Sequence, residues 1–217
     1  MGSHLDSFQQ DLQAAPWPLL AGDLGLDFVN TVECRASPQA VEFLSSPPRL
    51  LAWCWRAGTL PEREVERLAR ATLASPARAQ ALLAQALALR EAWFRVFSGL
   101  VQHKLPTAAQ LRPLNAALQR LALQRRLAPQ AGGIGWAWAD GGDAFAPLLG
   151  PPCLAAAQLL SAPALASLRQ CPGCGWLFLD TSRNHTRRWC SMAFCGSRMK
   201  SRRQYQRRLG AAPDTSA

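Results

Sequence analysis

Two close pairs of cysteines, Cys171 with Cys174 and Cys190 with Cys195, stand fifteen residues apart near the C-terminal end. They constrain this chain more than any other feature. Two knuckles of backbone at that spacing present four thiolates to one tetrahedral ion, so the expected cofactor is a single structural Zn²⁺. Four thiolates around Zn²⁺ leave a net charge of minus two, and the fold gains from nearby cations and from a helix N-terminus directed at sulfur. A candidate helix, Gly196 to about Arg208, follows Cys195 directly. Between the pairs, Trp176 to Leu179 reads as a strand, Asp180 to Asn184 as a turn and Arg187 to Trp189 as the returning strand. Knuckle, hairpin, knuckle and helix make a treble-clef-like order. With few apolar side chains in the window, metal supplies much of the stability, on the order of 10 kcal/mol or more. The competing readings are four buried free cysteines or two disulfides. Disulfides need an oxidising compartment, whereas Met1 to Asp6 shows neither a basic nor an apolar signal region, so a cytoplasmic location is expected. His185, in the turn among charged residues, is expected to be solvated rather than a ligand.

The charge of the chain points to the same window. Over all 217 residues the formal net charge is +10. Residues 171–208 contain nine basic side chains against Asp180, a net +8, which leaves +2 for everything else. Charge concentrated on a metal-stapled module implies a polyanionic partner for that module. On the helix after Gly196, Arg198, Arg202 and Tyr205 share one face, and Lys200, Arg203 and Arg207 share a neighbouring one. Arginine forks suit phosphate oxygens and guanine edges, and a helix fits a major groove. Arg183, Arg187 and Arg188 complete the expected nucleic-acid surface. The alternative is a basic helix that docks on acidic residues of this chain.

Upstream, the sequence reads as an α+β, mostly α fold: a helical N-terminal domain over residues 20–168 with a small β-hairpin, followed by the four-cysteine zinc finger over 169–210. Helices are expected from Val41 to Ala57, broken at Ser45 to Pro48 where Ser46 can cap a restart; from Pro61; from Pro76 to about His103; and from Thr107, whose capping-box form starts a helix that Pro113 should kink. Leu82, Leu89, Trp93, Val96 and Leu100 mark one packed face. Ile134, Trp136 and Trp138 alternate as a strand does, with Leu123 to Pro129 as the partner. Phe145 to Leu168 carries no charge, but Pro147, Pro151, Pro152 and Pro163 interrupt it, so a buried and broken helical segment is expected rather than a membrane span. Cys34, Cys54 and Cys153 read as buried, inert thiols. An enzyme needs a convergent base, nucleophile or open metal position; four cysteines close the coordination sphere, and no catalysis is expected.

The stretch Leu24 to Val32 is apolar yet holds Asp27, Asn30 and Thr31, with Arg35 close behind. Buried polar groups need partners. Either they satisfy local backbone, or they face a cavity where a ligand supplies the partner, with Trp136 and Trp138 as its candidate walls. Arg35 can pair with Asp27 or with an acidic ligand. Because no flexible linker separates the helical part from Cys171, a change of shape in the core can reposition the finger.

Trp176 to Asn184 (WLFLDTSRN), Arg187 to Met192 (RRWCSM) and Cys195 to Arg198 (CGSR), with Lys200, Arg202 and Arg203 beyond, resemble the CGNR-type zinc finger at the C-terminus of bacterial proteins. Leu26 to Thr31 (LDFVNT) resembles the signature near the start of the ABATE domain that accompanies it. Ser197 stands where the family name has Asn, and the first cysteine pair is tight. The resemblance implies a stress-induced transcription regulator that binds DNA through the finger and senses a small molecule through the N-terminal domain. An RNA- or protein-binding zinc adaptor is the alternative.

Overall fold

The computed structural model of the chain describes residues 18–35, 37–130, 132–139 and 144–210, with the backbone alone at 202, 203 and 206–210. The expected class is seen: mostly helix, small hairpins and a C-terminal cluster of four cysteines. Helix α1 (Leu24–Val29) is started by Asp23, whose carboxylate accepts from the amides of Gly25 and Leu26. It packs on a later helix, α6 (Phe145–Ser161), so closely that a Cβ at Gly25 would lie 2.5 Å from the Ala156 nitrogen. Only glycine permits that approach.

Two short strands follow, β1 (Val32–Glu33) and β2 (Val41–Glu42), paired antiparallel. Residues 41 and 42 are therefore strand, not the start of the expected helix. The Phe43 amide donates to the Thr31 carbonyl at 3.0 Å, and Pro47 and Pro48 cannot donate within a preceding turn. Helix α2 (Pro47–Arg56) begins at the predicted proline, although the Ser46 side chain makes no capping bond. Then come α3 (Glu62–Ala74), α4 (Pro76–Val101) and α5 (Ala108–Leu123). In α4, Leu89, Trp93 and Val96 are buried as the periodicity requires, while Leu82 and Leu100 pack partly exposed against the core. Thr107 and Gln110 form the expected capping box. Pro113 lies on the exposed side of α5, and the helix runs through it unbroken.

Strands β3 (Arg125–Gln130) and β4 (Gly133–Trp138) form the expected hairpin, with Leu127 opposite Trp136. Trp138 tucks against α6, where a Cβ at Gly150 would collide with its ring. Helix α6 is continuous through Pro151 and Pro152 rather than broken, because Leu148, Leu149, Cys153, Ala156 and Leu159 on both sides of the prolines are buried in the core. Their burial offsets the hydrogen bonds that the prolines remove. Among the described residues no helix is long and apolar enough to cross a membrane.

A 3₁₀ turn (Pro163–Ser167) leads into β5 (Leu168–Gln170), which pairs antiparallel with β6 (Leu177–Leu179), Leu168 facing Leu179. This corrects the expected hairpin. Residues 187–189 form no strand; the partner of β6 lies before the first cysteine pair. The Cys171 to Cys174 knuckle is itself the hairpin turn, closed by the Cys171 amide on the Trp176 carbonyl and the Gly175 amide on the Cys171 carbonyl, both at 2.8 Å. Gly175 takes a left-handed φ of 80° there.

Strand β6 has two buried faces. Leu177 and Leu179 belong to the helical core, whereas Trp176 and Phe178 pack with the four cysteines. Period-two alternation thus makes one strand the shared wall of two cores.

Candidate metal centre and nucleic-acid surface

The four cysteines are 1 to 5% exposed, and their sulfurs all lie within 4.8 Å of one another. Sulfurs about 2.3 Å from a tetrahedral Zn²⁺ stand roughly 3.8 Å apart. Cys174 to Cys190 is 3.5 Å and Cys190 to Cys195 is 3.6 Å, so the cage fits one zinc. Its thiols cannot all ionise unaided. Hydrogen bonds from Cys174 and Cys190 hold the Cys171 thiol far below its ordinary range, and Cys174, Cys190 and Cys195 are pushed up. A dication removes that conflict.

The second knuckle is set by Ser191, whose hydroxyl accepts from the Phe194 amide and whose carbonyl accepts from the amides of Cys195 and Gly196. A single π-type turn (Met192–Gly196) then feeds α7 (Ser197–Gly210), close to the predicted helix. The loop before it is organised by Asp180, which is fully enclosed. The Ser182 hydroxyl, the Ser182 amide and the Arg187 amide donate to this carboxylate and hold its pKa below the ordinary range. These local bonds fix the chain between Asp180 and Arg187 as a loop and leave no ladder for a strand. His185 is exposed, as expected, and its Nδ1 contacts the Asp180 carbonyl.

The basic side chains divide into two groups. Arg187 is half-buried and turned inward: its guanidinium donates to the carbonyls of Trp189 and Cys190 and lies 4.7 Å over the Phe178 ring. It braces the metal core. Arg198 reaches back to the helical domain, 3.4 Å from Glu33 and 3.3 Å from the Cys34 sulfur. Arg183, Arg188 and Lys200 are exposed on the finger, with Arg188 stacked over Trp189. The side chains of Arg202, Arg203 and Arg207 lie outside the described residues, although their backbone is part of α7. Met192 and Phe194, 69 and 58% exposed beside this basic surface, escape a reading of the sequence alone. The available signal is two large apolar residues inside a knuckle too short to bury them.

The six candidate pocket residues do not line one cavity. Asn30 is a clamp: its amide donates to the Leu177 carbonyl at 2.7 Å and its carbonyl accepts the Leu177 amide at 2.9 Å. Trp176 adds an indole bond to the Val32 carbonyl at 2.6 Å, and the Leu179 amide one to the Ala21 carbonyl at 2.8 Å. The hydroxyl of Thr31 donates to the Phe28 carbonyl. Arg35 forks onto Glu91 at 2.8 and 3.0 Å and donates to the Val29 carbonyl, so its carboxylate partner is Glu91 rather than Asp27. Arg90, 4% exposed, forks onto Glu42 beside it. Trp136 is exposed under Arg125 and Trp138 rests on α6, and the two together wall a cavity of about 520 Å³ with Leu60, Pro61 and Pro147, which Asp27, Asn30, Thr31 and Arg35 do not line. The inert thiols are Cys54 and Cys153, pushed up by burial to about 12 and about 11. Cys34 is only half-buried.

Asp27 accepts from the Ala21 amide at 3.0 Å. Burial nonetheless pushes its carboxyl up to about 6, against the amides of Ala21 and Leu20 and with the charge of Asp23 adding to the rise. Between roughly pH 4 and 6 the folded chain therefore keeps a proton that the unfolded chain has lost, and stability falls as pH rises through that window. Asp27→Asn keeps an oxygen for Ala21 and has no charge to bury. It is expected to match the unmodified protein below about pH 4 and to exceed it by about 1 to 3 kcal/mol at pH 7.5. Urea melts at both pH values check this.

A helical domain welded along one strand to a four-cysteine zinc finger is the class that fold and site define. A family model described as “Putative stress-induced transcription regulator” (ABATE) matches residues 22–163, and that of the CGNR zinc finger matches residues 167–208. The chain belongs to the ABATE family and carries a CGNR zinc finger at its C-terminal end. One is a regulator family and the other a zinc-finger family; neither description names an enzyme. No curated protein matches the chain.

Proposed function

We propose that this protein regulates transcription by binding DNA through its finger, with the helical domain sensing a small molecule. The observation that carries the reading is the exposed charge of the finger: Arg183, Arg188 and Lys200 stand clear of the metal core beside the start of α7. That helix continues the basic run through Arg202, Arg203 and Arg207. Cations on a rigid scaffold release counterions from a phosphate backbone, and affinity then falls steeply with salt. Zinc holds the array and takes no part in chemistry.

Replacing Arg188 and Lys200 with alanine is expected to leave zinc content unchanged and to reduce the log–log salt slope of duplex binding by about 2. Arg187→Ala is expected to lower zinc retention instead, because the lost side chain braces Cys190. Fluorescence anisotropy across a salt series, with zinc measured on the same samples, separates the two. An unchanged slope in the double variant counts against this surface.

A second reading draws on Met192 and Phe194. Exposed apolar side chains within a basic surface suit stacking on unpaired bases, which favours structured RNA over duplex. Competition between the two at physiological salt decides between them.

A further inference from the structure

The knuckle between Cys190 and Cys195 holds an aromatic ring out to solvent. Phe194 is 58% exposed, and among the described residues it makes no ring–ring or cation–π contact. Its backbone is nonetheless fixed on both sides. The Phe194 amide donates to the Ser191 hydroxyl at 3.3 Å, the amides of Cys195 and Gly196 donate to the Ser191 carbonyl at 3.0 Å, and Cys195 belongs to the metal cage. Met192 differs from Phe194 in being backed by the knuckle. A Cβ at Gly196 would lie 2.9 Å from the Met192 sulfur and 3.5 Å from the Trp189 ring, so the thioether lies back over the glycine.

A singly exposed apolar side chain is ordinary, but this pair stands on the most basic part of the chain. Met192 and Trp189 share a hollow with Met199 and Lys200, and Arg188 stacks on Trp189. From Thr181 to Pro213 the sequence contains no Asp or Glu. A second copy docked through this surface would therefore meet like charge, and a purely apolar partner would strip water from the cations without returning a counter-charge. Stacked base pairs between two phosphate strands answer both features, with anions for the cations and flat apolar faces for the ring.

We propose that Phe194 is a wedge that inserts between two stacked base pairs of duplex DNA and kinks the duplex, with Met192 as its shoulder. The inference rests on the DNA-binding reading above and deepens it by naming what is selected: a site with an easily unstacked pyrimidine–purine step where the ring enters. The metal-pinned backbone lowers the ordering cost of insertion, because the ring is already presented before DNA arrives. Arg188 and Lys200 then hold the phosphates on either side of the opened step, and the kink is expected to be about 20 to 90°.

The test uses the zinc-loaded full chain and a short duplex carrying a donor and an acceptor dye at its two ends, with a central TA step or, as control, a stiff A-tract. Energy transfer is expected to rise on binding the TA duplex, and that duplex is expected to bind severalfold more tightly than the A-tract. Phe194→Ala is expected to bind about tenfold more weakly and without a change in energy transfer, while its zinc content and its salt slope stay those of the unmodified protein, since no cation is lost. Phe194→Leu, still an apolar wedge, is expected to restore most of the bend. Binding by the unmodified protein with no change in energy transfer overturns the wedge and leaves DNA binding standing. Equal bending by Phe194→Ala also overturns it, as does tighter binding to the single strand than to the duplex. No binding to either duplex in dilute buffer removes the DNA reading and the wedge together.

Discussion

Removing the metal is expected to destabilise the helical domain together with the finger. The cage places four sulfurs within 4.8 Å, and without a cation their thiolates repel. Loss of the cage alone costs on the order of 10 kcal/mol by analogy with zinc-finger peptides. The damage spreads because Leu177 and Leu179, 0 and 6% exposed, sit in the helical core on a strand whose hairpin turn is the first cysteine knuckle. When that knuckle opens, β6 loses its register on β5 and withdraws two leucines. At about 1.5 to 3 kcal/mol each, the helical domain loses roughly 3 to 6 kcal/mol, a large fraction of the stability of an ordinary domain. Chelation with counted zinc release, followed by circular dichroism melts, measures it. One zinc per chain should leave, and the helical signal should melt at a clearly lower temperature. Cys174→Ser should act in the same direction. An unshifted helical transition would show that the two cores are energetically separate.

Asn30→Asp is expected to cost about 3 to 5 kcal/mol at pH 8 and to recover as pH falls. Asn30 meets both an acceptor and a donor on Leu177, and it is 5% exposed. A carboxylate can accept the Leu177 amide, but its second oxygen then faces the Leu177 carbonyl, lone pair to lone pair, in a buried site. The folded state thus raises the pKa of the new acid above its unfolded value of about 4. Protonated, it can donate to the carbonyl as the amide does. Stability is therefore retained below about pH 4 and lost as pH rises through the folded pKa. Asn30→Leu offers neither group and should cost about 2 to 4 kcal/mol without pH dependence. Denaturant melts of both variants at pH 5 and pH 8 make the comparison. A cost in Asn30→Asp that is equal at the two pH values would mean that the clamp relaxes to admit water.

The clamp also bears on regulation. Sequence alone indicates that the finger follows the core without a linker. The structure goes further, since Asn30, Trp176, Leu179 and Arg198 all bridge the two parts. Repositioning of the finger would have to break this seam, so a signal from the helical domain has a defined set of bonds on which to act.

How much could be read in advance follows from the range of each interaction. The metal ligands, the Thr107 capping box and the helix starts at Pro47 and Pro76 are local chemistry, complete within a few residues. The face of α4 is periodic over many turns, so its buried residues stand out. Strands of two or three residues carry no period to detect. A reading by pattern therefore absorbs Val41 and Glu42 into a helix and gives β6 the wrong partner.

Side-chain roles show the same division. Asn30 and Leu177 are 147 residues apart, and nothing near either one announces the pairing. A polar residue in an apolar stretch says only that some partner exists. Residue type and spacing by themselves determined the zinc cage and the class of fold, because thiolate chemistry and capping act through neighbours along the chain, and the family followed from the resemblance of the finger and of Leu26 to Thr31 to known motifs. Only the tertiary structure decided that Arg187 braces the metal core, that Asn30 locks the finger and that Trp136 and Trp138 wall a cavity apart from Asp27, Asn30, Thr31 and Arg35. Those outcomes depend on which backbone groups packing brings opposite each side chain, and that is settled by the two cores closing on either face of β6.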